Sequence, residues 1–212
     1  MVDSGPRIVF DTSALLDLFG KWTDDHKERR GDLVKEVHIL APLKLFLFST
    51  QAILHEVHNH MIIGADLERC LSFETVSDTE LTACPGFVKT READYSLTAL
   101  TRRFELGGFH TFLITKDRTF VQDLQRAGLK ADLVPPTGFA EAITVLAREG
   151  NPSMALAHRI QDNTFVNLSR GMRLVRQTQG EKEYADWQEF LDSKTASKHE
   201  LIEALRASGV AL

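Results

Sequence analysis

Short apolar runs alternate with helix-like segments over the first two thirds of the chain, and this alternation limits the fold more than any other feature. The runs cover residues 7–11, 45–48, 71–76, 111–115 and 131–134, rich in β-branched and aromatic residues and bounded by polar or turn residues. Between them, 12–20 places Leu15, Leu18 and Phe19 on one face before Gly20, and 51–62 follows an N-cap signal at Ser49-Thr50. Leu97, Leu100, Thr101 and Phe104 give 91–105 one buried face, ended by Gly107-Gly108, and Gly128 closes a short helix over 118–127. Buried strands separated by helices make an α/β fold with a mainly parallel sheet and right-handed crossovers. After residue 138 the pattern is helical only. Phe139, Ile143 and Leu146 form one stripe, and Phe165, Leu168, Met172 and Val175 a second. Two short helices follow over 183–192 and 198–208, with breaks at Gly150-Asn151-Pro152 and Gln179-Gly180. The chain therefore divides into an α/β domain over 1–138 and a helical C-terminal extension over 139–212. Residues 77–90, with Pro85-Gly86, read as a loop or broken helix, and the charge-dense 21–32 as a solvated loop or helix face.

Bulk properties exclude several functions. A formal net charge of -5 argues against a protein held on nucleic acid by its overall charge, so any basic surface is local. The longest apolar stretches, such as 43–48 with Lys44 inside it, fall far short of the roughly 20 residues that cross a bilayer. Cys70 and Cys84 lack the number and spacing of a disulfide framework or a zinc site. A soluble, cytoplasmic protein with two reduced thiols is expected.

The chemistry lies in the acids. Asp11 ends the first run, Glu56 lies in the helix after the second, Asp94 opens a helix, and Asp117 follows the fourth run. In a parallel sheet such positions converge on the carboxyl edge. Carboxylates gathered there repel one another and raise each other's pKa unless a cation intervenes. Mg²⁺ or Mn²⁺ suits oxygen donors, and such sites commonly serve phosphodiester chemistry.

These segments resemble PIN-domain ribonucleases. Ile8-Val9-Phe10-Asp11-Thr12-Ser13-Ala14-Leu15-Leu16 is similar to their opening strand and turn, and Phe48-Ser49-Thr50-Gln51-Ala52-Ile53-Leu54-His55-Glu56-Val57 to their second motif. Asp94-Tyr95-Ser96-Leu97-Thr98-Ala99-Leu100 resembles the third, and Leu113-Ile114-Thr115-Lys116-Asp117-Arg118-Thr119-Phe120 the fourth. The acids follow at gaps of 45, 38 and 23 residues, which suit the family. The resemblance covers about residues 6–138. It implies a Rossmann-like three-layer sheet in the order 3-2-1-4-5 and metal-dependent endonucleolytic cleavage of RNA. Asp11, Glu56, Asp94 and Asp117 would hold Mg²⁺ or Mn²⁺, and Thr12, Ser13 and Thr115 would orient carboxylates or phosphate. Thr119 stands where the family often carries another acid, and Glu92 competes with Asp94 for the third role. The family also pairs commonly into homodimers, and a toxin among its members would need an antitoxin or another regulatory protein. A non-catalytic RNA-binding or assembly module and a structure-specific DNA nuclease are the alternatives.

Other features carry RNA-facing and bland readings side by side. Lys116 and Arg118 flank Asp117 and could hold phosphate. Arg170, Arg173 and Arg176 recur every third residue, in a stretch (151–180) with four Arg and one acid, Asp162. Each of these could equally be solvated surface charge. His55, His58 and His60 surround Glu56 without the spacing of a zinc helix and are expected to line the cleft. Trp22 and Trp187 read as packing residues.

Overall fold

The computed structural model describes residues 5–20, 30–60, 64–150 and 154–209. Most of the charged 21–32 segment, with Trp22, lies outside them. Five parallel strands form one sheet: β1 (Arg7–Phe10), β2 (Leu47–Thr50), β3 (Ser72–Glu74), β4 (Thr111–Ile114) and β5 (Asp132–Val134), hydrogen-bonded in the order β3-β2-β1-β4-β5. Ile8, Val9 and Phe10 of β1 and Phe112, Leu113 and Ile114 of β4 are fully buried. That accounts for their unbroken apolar character, because a strand covered on both faces has no polar side to alternate with.

Helices fill the connections: α1 (Thr12–Phe19) and α2 (Arg30–His38) after β1, α3 (Gln51–His60) and α4 (Gly64–Cys70) after β2, α5 (Asp78–Thr82) and α6 (Glu92–Leu106) after β3, and α7 (Arg118–Arg126) after β4. Then come α8 (Pro136–Gly150), α9 (Met154–Gln179), α10 (Glu181–Asp192) and α11 (Thr195–Ala207). The strand order runs outward from β1 to β3 and then jumps back to β4. Right-handed crossovers therefore set α1–α4 on one face and α6 and α7 on the other. α8 and α9 return to α1 and pack against it, while α11 packs on β5 and α8. An edge-to-face contact between Phe10 and Phe139, centroids 4.9 Å apart, joins β1 to α8. The segment beyond 138 thus shares the core of the sheet rather than forming one of its own.

Several elements depart from expectation. The second strand lies two residues later, because Leu45 is 68% exposed and belongs to the preceding turn. Ser49 and Thr50 end that strand, and Thr50 Oγ1 accepts the Ile53 amide at 3.3 Å, as the N-cap signal implied. α2 was not anticipated. In 77–90, Ser77 and Glu80 build a capping box that starts α5. On α9 the buried stripe is Ala157, Ile160, Thr164, Asn167 and Leu168, whereas Phe165 is 46% exposed. Thr164 and Asn167 are buried because their polar atoms are bonded internally, which apolar periodicity cannot register.

Candidate active site at the carboxyl edge of the sheet

Register sets the site. Phe10 pairs with Ile114, so Asp11 and Thr115 leave the sheet side by side. The Asp11 amide donates to Ile114 O at 3.3 Å, and the Thr115 amide to Val134 O at 3.2 Å. Asp11 is the N-cap of α1 and accepts the Ala14 amide at 2.6 Å, which satisfies a free helix donor. Ser13 Oγ donates to both Asp11 oxygens at 2.9 Å, and Thr115 Oγ1 donates to Asp11 Oδ2. Thr115 also accepts the Asp117 amide at 3.0 Å. Asp117 caps α7 by accepting the amides of Thr119 at 2.8 Å and Phe120 at 3.0 Å. Thr115 is therefore the bridge between two of the candidate acids.

The other two arrive on helices. Glu56 lies exposed on α3 and accepts Thr12 Oγ1 at 2.5 Å. Asp94, in the first turn of α6, accepts Arg91 Nε at 2.9 Å and pairs with Arg91 Nη2 at 2.8 Å, while Arg91 Nη1 reaches Asp123 at 2.9 Å. Ser49 Oγ donates to Phe10 O at 2.8 Å, and Thr50 shares a 2.7 Å hydrogen bond with Ser96 of α6, fastening β2 to its neighbours. Glu92 is exposed. Arg91 escaped the sequence reading, although its spacing three residues before Asp94 on a helix start was a usable signal.

Electrostatics link the four acids. Burial pushes the Asp11 carboxyl up to about 7 against the pull of Thr115, Ala14 and Ser13, and the charge of Asp117 raises it further. Burial also raises Asp94; Arg91 lowers it, and Asp117 and Glu56 raise it. Among the described residues, no three His, Cys, Asp or Glu side chains close up into a ready-made metal cage. The donor set still suits a hard cation. All four are oxygen donors, the charge of Asp117 raises both Asp11 and Asp94, and Mg²⁺ binds directly through one or two carboxylates while keeping several waters.

The basic residues fall elsewhere. Lys116 turns away from the acids and pairs with the fully buried Asp17 of α1, Nζ to Oδ1 2.6 Å. Burial raises the Asp17 carboxyl and Lys116 pulls it back. Arg118 lies against Glu183 (3.5 Å) and Asp186 (3.7 Å) of α10. Arg176 pairs with Glu181 at 2.5 Å, and its guanidinium lies over Tyr184. Arg170 and Arg173 are exposed on α9. His55 is exposed, and His58 lies 3.8 Å from Glu68. Trp187 is partly buried, and Cys70 and Cys84 are buried free thiols. Among the described residues, no helix is long and apolar enough to cross a membrane.

Compared with protein-family models, with curated proteins and with solved structures, the chain matches none.

Proposed function

We propose that this chain is a Mg²⁺- or Mn²⁺-dependent endoribonuclease of the PIN-like kind, hydrolysing RNA phosphodiester bonds at the carboxyl edge of its sheet. The observation that carries the reading is the Asp11–Thr115–Asp117 bridge, with Glu56 and Asp94 electrostatically tied to it. The parallel sheet and its β3-β2-β1-β4-β5 order support the PIN-like assignment.

In this reading Asp11 and Asp117 hold the cation, with Glu56 and Asp94 completing its surroundings directly or through water. A bound hard cation would acidify a water and neutralise charge on the phosphate. Ser13 and Thr115 fix the Asp11 carboxylate, and Thr12 fixes Glu56, so both acids are oriented before substrate arrives. Arg91 pulls the Asp94 carboxyl down against the burial that raises it. The exposed face of α9, with Arg170 and Arg173, is the best candidate for backbone phosphates, since Lys116 and Arg118 are engaged within the protein.

One observation favours a second reading, a non-catalytic RNA-binding module: the acids do not close into a cage of three. Cleavage of a mixed single-stranded RNA pool separates the two. The enzyme reading expects cutting in Mn²⁺, none in EDTA, and loss of at least 100-fold in Asp117→Asn. Retained RNA binding without cutting under any metal condition would establish the module.

A further inference from the structure

Asp17 is a fully buried carboxylate whose Oδ2 has no hydrogen-bond partner among the described residues. Its Oδ1 takes Lys116 Nζ at 2.6 Å. Such a pair is a poor source of stability, because a well-packed apolar pair of similar volume serves as well or better. What distinguishes this pair is its place. Lys116 lies between Thr115, which binds Asp11, and Asp117, whose amide binds Thr115. Asp17 lies on α1, six residues beyond Asp11. The 115–117 turn is therefore tied to α1 twice, at its N-cap through Thr115 and near its last turn through Lys116.

Helix α9 backs the second tie. Asn167 Nδ2 donates to Asp17 O and Gly20 O, both at 2.9 Å. Gly171, four residues later on the same helix, brings its backbone so close that an added Cβ would stand 3.7 Å from Lys116 Nζ. α9 thus holds the Asp17 backbone through Asn167 and passes beside Lys116 Nζ at Gly171.

We propose that the Lys116–Asp17 pair, backed by α9, is a positioning device that fixes the turn carrying Asp117 against α1, so that Asp117 stands in a set relation to Asp11. The inference rests on the reading of Asp117 as an acid of the site. Thr115 Oγ1 ties the turn to α1 at its N-cap, Asp11. The Lys116–Asp17 tie, near the other end of α1, limits pivoting of the turn about that point. Lys116 acts through the backbone and does not meet substrate.

Lys116→Met alone leaves a buried charge unpaired, so the informative variants replace both partners: Asp17→Leu with Lys116→Met, and Asp17→Asn with Lys116→Met. Amide hydrogen exchange is followed at Thr119 and Phe120, whose N–H groups bind Asp117, beside the urea midpoint of each protein. The expected result is an unchanged midpoint with exchange at these two amides at least tenfold faster, a local opening separate from global unfolding. Wild-type exchange rates in either well-folded variant would overturn the proposal. So would faster exchange that merely follows a lowered midpoint in both variants, since the pair would then be structural only. The readout needs neither metal nor RNA. A wild type that fails to cut RNA would therefore count against the proposed activity and leave this test to decide the positioning role.

Discussion

Asn167→Ala should destabilise the protein by an amount that can be worked out bond by bond. Asn167 is 4% exposed, and its Nδ2 faces three carbonyls near the end of α1: Asp17 O and Gly20 O at 2.9 Å, and Leu16 O at 3.4 Å. The last carbonyls of a helix lack intrahelical partners and need donors from elsewhere. Leu16 O already accepts the Gly20 amide at 2.8 Å, so the loss falls on Asp17 O and Gly20 O. Leaving a buried acceptor unpaired costs about 1–3 kcal/mol. Two acceptors, relieved in part by a water entering the vacated space, give about 2–4 kcal/mol. With a urea m-value of about 2 kcal/mol/M, the midpoint should fall by roughly 1–2 M at constant m. The assay is equilibrium urea unfolding followed by circular dichroism. A fall below about 0.3 M would match an ordinary surface substitution and would refute the idea that α9 is clamped to the end of α1 through this side chain.

Other outcomes follow from the electrostatics. Asp11 is a carboxyl raised to about 7, so its charged form opposes folding, and this penalty grows as pH rises from about 4 through 7. Metal-free Asp11→Asn should therefore unfold at a higher urea concentration than wild type at pH 8, with no advantage at pH 4. A lower midpoint at pH 8 would contradict the burial argument. Glu80 is held down to about 2, first by Arg103, which reaches its two oxygens at 2.8 and 2.9 Å, and then by Ser77. Its contribution is fully present above about pH 4.5 and disappears as pH falls through 2. Glu80→Gln should thus cost about 1 kcal/mol at pH 6, after allowance for solvent screening, and only a small fraction of that at pH 2. Paired urea titrations at the two pH values check the sign.

The parallel sheet was legible because its central strands are buried on both faces and carry continuous apolar runs. Asp11 and Asp117 were legible because a strand end followed by a helix start leaves few other places for an acid to stand. Most of what was not legible has one cause, partners distant in the chain. Lys116, beside Asp117, read as a phosphate contact or a surface charge, whereas its partner Asp17 lies 99 residues away in the chain. Asn167 gave no signal at all, since its three acceptors belong to α1, about 150 residues earlier. Of the expected stripe on α9, Leu168 is buried and Met172 and Val175 are partly buried, but Phe165 is exposed, because the buried face also runs through Thr164 and Asn167, whose polar atoms are bonded internally. Leu45 misled differently: an apolar residue beside a strand is not thereby in it, and exposure of single apolar side chains is common.

Mn²⁺ binding by the metal-free protein at pH 8, followed by isothermal titration, tests the account of the site most directly. Wild type should bind one or two ions, and Asp11→Asn and Asp117→Asn should each weaken that binding at least tenfold while remaining folded. A well-folded wild type that binds no Mn²⁺, or variants that bind it as tightly as wild type, would contradict the claim that these acids form a cation site.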